Sequence, residues 1–529
     1  MFSAKRLGRR LMVSAMLSVF LCAVGARADD APPTQIGVLA VKSLDAIAAS
    51  AKKLDIGLPA PLTAAGIEQR FAFIGPGGLA TDKPLGIIFF GGPGVKADQE
   101  ITVFVLPVKP TAIPLEALKG LGGQPMPDHP DTVLMNGVGF RRTTDYVIFG
   151  PLPSAAALAN LDAITDAVKD PGTLARVTLD LKAVRASMPE QYRSLLDTNR
   201  QFLLGKAATT EQASAELVID SIRRTIDKLE KVEWALDSGD AGMRLALTAA
   251  PIKLPALEPG NRPGMPPGVI ARFDLACPID ALVDAQVLGK IIDAANQDNA
   301  NRFTSRQKQK LQDIVVRVKG LFFGGDTVSI GLEAGGESQV VYVVNQYAKR
   351  IDYISEVRTL MAQAKAFGDE VNEPVDLSLQ SYKSGEVQVV RLVVTDKHQT
   401  KTYIDAVQQE GGLFIAASKE PFRYIDGLLA AKPEGPRQTL MSGSVELGKL
   451  FDTIAKSPGS PAAGMSAAEK KQLSDLFRGQ KLGVSISSDG DAATFDVAIP
   501  HSLLKYTPKV IATFIGELGS GNPAPKTRQ

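Results

Sequence analysis

The sequence predicts an α+β protein made of two homologous halves, each an antiparallel sheet covered by helices. Three observations carry that expectation. First, in Lys231–Ala250, Val232, Trp234 and Leu236 alternate with Glu233, Ala235 and Asp237, and after the polar turn 238–242, Met243, Leu245 and Leu247 alternate again. Period two on both sides of a Gly/Asp turn reads as a β-hairpin with one face on a core. The pattern returns at Val328–Val344 around Gly335-Gly336 and at Leu482–Ile499 around Asp489-Gly490-Asp491. Second, the hairpins close strand–helix–helix runs, so that one strand–helix–helix–hairpin unit is repeated along the chain. Third, Asp180-Leu181 and Glu446-Leu447, which end strands leading into helices, lie 266 residues apart, as do Val147-Ile148-Phe149 and Leu413-Phe414-Ile415. That shared offset points to duplication of a half-chain, each half being unit, connector and unit, rather than to a solenoid of short repeats.

A chain of 529 residues is too long for one ordinary core. Its 45% hydrophobic and 22% charged content belongs to a folded globular protein. Residues 1–28 stand apart. Lys5, Arg6, Arg9 and Arg10 form a basic region, Leu11–Gly25 an apolar run, and Ala26-Arg27-Ala28 a small-residue cleavage site. The apolar run is too short for a confident membrane span, so export with cleavage after Ala28 is expected, to the periplasm or the outside. Lipidation at Cys22 is disfavoured because Leu21 precedes it where a small residue belongs. Cleavage removes five basic residues and leaves 54 basic against 57 acidic, a net of −3. No nucleic-acid footprint remains. Cys277 is then the one cysteine left, expected to be a small buried hydrophobe rather than a disulfide partner or metal ligand.

In chain order, Gln35–Val41 reads as a strand and Ser43 as the cap of a helix carrying Leu44, Ile47 and Leu54. A helix over 61–72 and a hairpin of Leu85–Phe90 with Ile101–Val108 complete the first unit. The connector holds a helix at Pro114–Lys119, strands at Thr132–Phe140 and Tyr146–Phe149, and a helix capped by Ser154 with Leu158, Leu161, Ile164 and Val168. The second unit is strand Val177–Leu181, helices at Lys182–Leu204 and Ala215–Leu229, and the Trp234 hairpin. Pro251–Gly268 packs six prolines and three glycines into eighteen residues, a density that excludes helix and central strand. The third unit runs from strand Val269–Leu275 to the Val328–Val344 hairpin. A second connector, Ile351–Leu429, carries strands at Val375–Ser381, Val387–Thr395 and Leu413–Ala417. The fourth unit starts at Ser444–Leu447 and ends with the Leu482–Ile499 hairpin, followed by a helix near Leu503–Leu518. The expected organisation is therefore a signal peptide at 1–28, a first half at 29–250, a Pro/Gly-rich linker at 251–268, a second half at 269–518 and a disordered tail at 519–529.

This layout resembles the large exported proteins of unknown function seen in planctomycete-type bacteria. The features that carry the likeness are the signal peptide, the unit–connector–unit order, the Leu-Asp-Leu and Val-Glu-Leu strand ends, and the hairpins closing on Ala-Pro or Ile-Pro. The resemblance implies an exported, duplicated α+β protein and brings no catalytic residues with it.

Motifs that would carry chemistry fail on inspection. Gly443–Leu450 fits a P-loop until Leu450, where a hydroxyl should meet Mg²⁺, and Ser444–Leu447 reads as strand rather than loop. Gly75–Ala80 fits a loose dinucleotide fingerprint but leads into a strand. His129, His398 and His501 have no metal-ligand spacing and read as solvated loop residues. Asp489-Gly490-Asp491 reads as a hairpin turn, not a calcium site. No catalytic, cofactor-binding or metal residues are therefore assigned, and no cofactor is expected. The expected function is non-enzymatic, a binding or structural role toward a protein or envelope partner. The alternatives are a hydrolase whose carboxylates are dispersed in sequence, and a carrier of an apolar ligand. Ile87–Phe90, Val103–Leu106 and Val340–Val344 are apolar at both parities, so these strands should be covered on both faces.

Overall fold

The computed structural model describes residues 34–504, apart from 55–57, 59–61, 92–100, 127–128, 152–160, 191, 195, 198–211, 279–284, 299–301, 336–337, 347–351, 374–375, 397, 410–411, 422–423 and 457–464. The signal segment, the Ser154 cap, residues 505–518 of the expected last helix and the tail lie outside the described residues.

Among the described residues the strands form one antiparallel sheet of twenty, which corrects the expectation of two homologous halves with a sheet each. Period two marks a run as a strand but does not name its neighbour. Equal spacing along a chain likewise does not say where hydrogen bonding stops. The chain does divide into two compact units, residues 1–198, 228–252 and 498–529, and residues 199–227 with 253–497.

The first unit contains β1 (Thr34–Val41), α1 (Leu44–Lys53), α2 (Ala64–Arg70), β2 (Leu85–Gly91), β3 (Ile101–Pro107), α3 (Pro114–Gly120), β4 (Gln124–Met126), β5 (His129–Met135), β6 (Val138–Arg142), β7 (Tyr146–Pro151), α4 (Leu161–Lys169), β8 (Ala175–Asp180), α5 (Leu181–Ser187), β9 (Lys231–Ser238) and β10 (Gly242–Ala250). Hydrogen bonding orders its strands β10-β9-β8-β1-β2-β3-β7-β6-β5-β4. Ser43 caps α1 as expected, its Oγ accepting the Ala46 N–H at 3.0 Å. The single strand expected over Thr132–Phe140 is instead a hairpin. Asn136 and Gly137 take φ of 49° and 78°, the left-handed pair of a two-residue turn, and an Asn-Gly step is its strongest local signal.

Apolar residues at both parities are buried on both faces. Ile88, Val103, Val105 and Ile148 pack with Ile164 and Val168 of α4. On the other face Leu106, Val147, Phe149 and Phe140 pack with Leu44 of α1, Ile74 and Leu118 of α3. Phe149 sits at the centre of a ring cluster, with centroids of Phe71, Phe73, Phe104 and Phe140 at 5.2, 5.5, 5.0 and 5.4 Å. The Trp234 hairpin is less covered than its alternation suggests. Val232 is buried, but Trp234 is 36% and Leu245 43% exposed.

The second unit contains α6 (Gln212–Ile226), β11 (Val269–Leu275), α7 (Ala285–Asp298), α8 (Ser305–Phe323), β12 (Thr327–Gly335), β13 (Ser338–Gln346), α9 (Tyr353–Glu370), β14 (Asp376–Ser384), β15 (Val387–Thr395), β16 (Lys401–Gln409), β17 (Gly412–Ser418), α10 (Tyr424–Ala430), β18 (Met441–Glu446), α11 (Leu447–Lys456), α12 (Ala467–Phe477), β19 (Lys481–Ser488) and β20 (Ala493–Pro500, whose last three residues fall in the first unit). Its strand order is β20-β19-β18-β11-β12-β13-β17-β16-β15-β14. Thus β18 lies between β11 and β19, as β8 lies between β1 and β9. A full capping box starts α8, where Thr304 and Gln307 satisfy each other's backbone N–H. One sheet face packs Val343, Leu413 and Ile415 against Leu321 of α8 and Val357 and Leu360 of α9. The opposite face packs Val340, Tyr342 and Val344 against Ile425 and Leu428 of α10.

Candidate functional site

β11 is an apolar strand except for Arg272 and Asp274, which point to the same face because side chains two apart on a strand share a side. Both are buried. Arg272 Nε donates to both Asp274 oxygens at 2.9 Å, Nη2 donates to the Pro263 carbonyl at 2.8 Å, and Nη1 donates to Glu434 at 2.6 Å. Arg262 adds donors to Asp274 Oδ2 at 2.5 and 3.1 Å. Ser329 of β12 donates at 2.6 Å and Ser442 of β18 at 3.4 Å. Neighbouring strands thus supply hydroxyls to a carboxylate that an arginine on its own strand already holds.

Burial works against the charge on Asp274. The Arg272 hydrogen bonds and charge, helped by Ser329 and Arg262, outweigh it and hold the carboxyl below its ordinary range. A general acid needs the opposite shift, and a nucleophile needs a free lone pair with open approach. The cluster instead ties backbone to backbone. Arg262 lies in the Pro/Gly-rich stretch, where the Arg262 N–H donates to Gly435 and the Glu434 N–H to Arg262. Arg437 N–H donates to Gly260, and Ala276 N–H to Leu440. In the structure, residues 258–264 therefore lie pinned against residues 434–437 and β11. The signal in the sequence is the Arg-x-Asp pair inside an otherwise apolar strand.

A second charged group lies on the same sheet face. Asp405 of β16 is buried and accepts two parallel bonds from Arg391 of β15, at 2.6 and 2.8 Å, plus the Tyr382 hydroxyl of β14 at 2.6 Å. The guanidinium carbon lies 4.9 Å from the Tyr382 ring centre and 5.5 Å from that of Tyr403. Burial, then the bond to Asp405, push the Tyr382 hydroxyl pKa up, so this tyrosine stays protonated.

The motifs that sequence left as failed candidates fall as follows. Gly75 and Gly77 adopt positive φ of 78° and 69°. The N–H groups of Gly77 and Leu79 are taken by the Glu68 carboxylate, at 3.0 and 3.1 Å, so the loop's donors already hold an internal anion. β18 passes into α11 at Leu447 without a loop, and the Lys449 ammonium donates to the carbonyls of Pro267 and Val269. Residues 489–492 form the turn between β19 and β20. His398 lies exposed in a turn, as expected. His129 opens β5 rather than lying in a loop. His501 is half-buried in a helical turn after β20, where its N–H donates to Ala241 and Nε2 lacks a hydrogen-bond partner. This departs from a solvated loop because the chain turns back onto the sheet. Cys277 is buried beside Leu275 and Leu440, and burial, then Glu258, raise its thiol pKa.

The remaining feature is apolar. Helices α8 and α9 cover β12, β13 and β17, but further along the same face a depression of about 280 Å³ lies open, lined by Phe273, Ile330, Leu332, Val445, Leu482 and Val484. Phe273 is 36% and Val484 40% exposed. Among the described residues no three or more His, Cys, Asp or Glu are grouped to hold a metal ion, and no helix is long and apolar enough to cross a membrane. No protein-family model, curated protein or solved structure matches the chain.

Proposed function

We propose that the protein is exported and acts without catalysis, in a binding or structural role in the cell envelope or outside the cell. The observation that supports this reading is the contrast within the second unit. The buried carboxylates Asp274 and Asp405 are filled by internal donors, while the apolar strip around Phe273 and Val484 is open to solvent. A glycoside hydrolase needs two carboxyl groups facing across room for a sugar, and Asp274 faces arginines instead. Two of the side chains that raised the carrier reading contact protein, although Val341 in the same rows is 37% exposed. Phe104 stacks on Phe149 at 5.0 Å, and Tyr342 is buried with its hydroxyl donating to Glu333 at 2.7 Å. Export rests on the basic and apolar pattern of residues 1–28.

Two measurements on protein recovered from cells test the reading. Intact mass should begin at Asp29 and carry no lipid, and a photo-cross-linker at Phe273 or Val484 should give a discrete protein adduct that one at exposed Lys401 does not. A mass retaining Met1 sinks export. A stoichiometric lipid favours the carrier, and saccharide hydrolysis lost in Asp274→Asn favours the enzyme.

A further inference from the structure

β14 is an unusually open sheet edge. It spans nine residues and pairs with β15 in unbroken register from Asp376↔Thr395 to Ser384↔Val387. Among the described residues no second strand pairs with it. Asp376, Ser378, Gln380, Ser381 and Lys383 are exposed. Edges are normally blunted by shortness, bulges, proline or inward-pointing charge. β4, the last strand of the first unit's order, has three residues. β14 has no bulge and no proline, and its charges stand near its two ends.

The hairpin geometry shows which backbone groups are free. Two residues, Gly385 and Glu386, link Ser384 to Val387, and Gly385 has φ of 59°, the positive value of a type II′ first position. Residues flanking such a loop exchange both hydrogen bonds with each other. The even-numbered residues of β14 therefore bond to β15. Leu377, Leu379, Ser381 and Lys383 direct their N–H and C=O away from it.

We propose that this edge is a homodimer interface, in which β14 of one copy pairs antiparallel with β14 of a second copy about a two-fold axis at Gln380. The outward row is self-complementary about that axis. Leu379 faces Ser381 and Leu377 faces Lys383, so four residues from each copy close the ladder. Charge selects the antiparallel sense. Antiparallel pairing about Gln380 sets Asp376 opposite Ser384 and Lys383 opposite Leu377, so neither charge meets its like. Parallel pairing would stack Asp376 on Asp376 and Lys383 on Lys383. Glu386 lies in the turn, beyond the paired row. Such an interface is isologous and closes at two copies. An unrelated extended peptide would cover the edge of one chain only.

The test is mass in solution by light scattering across a concentration series of the full chain. The wild type should run at twice the monomer mass. Gln380→Lys places like charges face to face at the axis, and Ser381→Pro removes an outward donor while leaving the β15 ladder intact. Each should give a monomer with unchanged circular dichroism, melting no higher than the wild type because the stabilisation from dimerisation is lost. Gln380 at the axis forms a non-hydrogen-bonded pair with its mate, about 4.5 Å between Cα atoms, within disulfide range. Gln380→Cys should therefore cross-link spontaneously into a covalent dimer, while Lys401→Cys should not. A wild type that is monomeric throughout, or a dimer that survives Gln380→Lys without cross-linking in Gln380→Cys, overturns the proposal.

Discussion

Arg272 and Asp274 stand two residues apart on β11, side by side on one face of the sheet, with Arg272 Nε 2.9 Å from each carboxylate oxygen. Both are buried, and the pair binds residues 262–263 and Glu434 to the sheet. A buried pair is costly to break and cheap to replace whole, because breaking it leaves a bare charge away from water.

Arg272→Met should therefore destabilise the second unit by about 3–5 kcal/mol. Arg272→Met with Asp274→Leu should recover most of that loss, since Arg262 and Glu434, 3.7 Å apart, remain to pair with each other. Urea midpoints for the two single variants and the double give the answer. A double-variant loss equal to the sum of the singles would refute it.

Acid should weaken the same cluster. The Asp274 carboxyl titrates lower folded than unfolded, so its contribution is present above the unfolded value, about 3.9. It is lost as pH falls through the folded one. Glu446 acts in the same sense: burial opposes its charge, but Lys449 and Lys481 prevail and lower its pKa. Stability should hold from about pH 7 to 5 and fall below about pH 4. In Asp274→Asn the fall should be shallower. Equal slopes in wild type and variant would exclude Asp274 as a cause.

Cys277 should be inert to an aromatic disulfide reagent in the native protein and react fully in denaturant, because it is buried and its thiolate is disfavoured. Cys277→Ser should cost about 1–3 kcal/mol, as a hydroxyl would be set among Leu275, Leu254 and Leu440. Fast native labelling would show that the pocket opens.

Phe149→Ala should cost the first unit about 3–5 kcal/mol, since four rings lose their common neighbour. Phe149→Leu should cost clearly less. Comparable melting losses for both would mean that ring geometry, rather than volume, holds the cluster.

The elements that declare themselves locally were legible from sequence. The Ser43 cap, the β2–β3 pair and the burial of both parities at Ile88 and Leu106 follow from side-chain period and capping chemistry, which act over a few residues. The hairpin at Asn136-Gly137 had a local signal too, and the single-strand reading overlooked it.

What the sequence by itself determined is the alternation of strands and helices, the apolar rows on both parities, and the strand character of the P-loop-like stretch at Ser444–Glu446. Only the tertiary structure decided that twenty strands share one sheet and that the Pro/Gly-rich stretch is held by Arg272 and Glu434. It also decided that Glu68 fills the glycine loop and that, among the described residues, β14 pairs with β15 alone. The physical reason is range. Period and capping are set by neighbours along the chain, whereas strand order and ion pairing join residues such as Arg272 and Glu434, 162 positions apart.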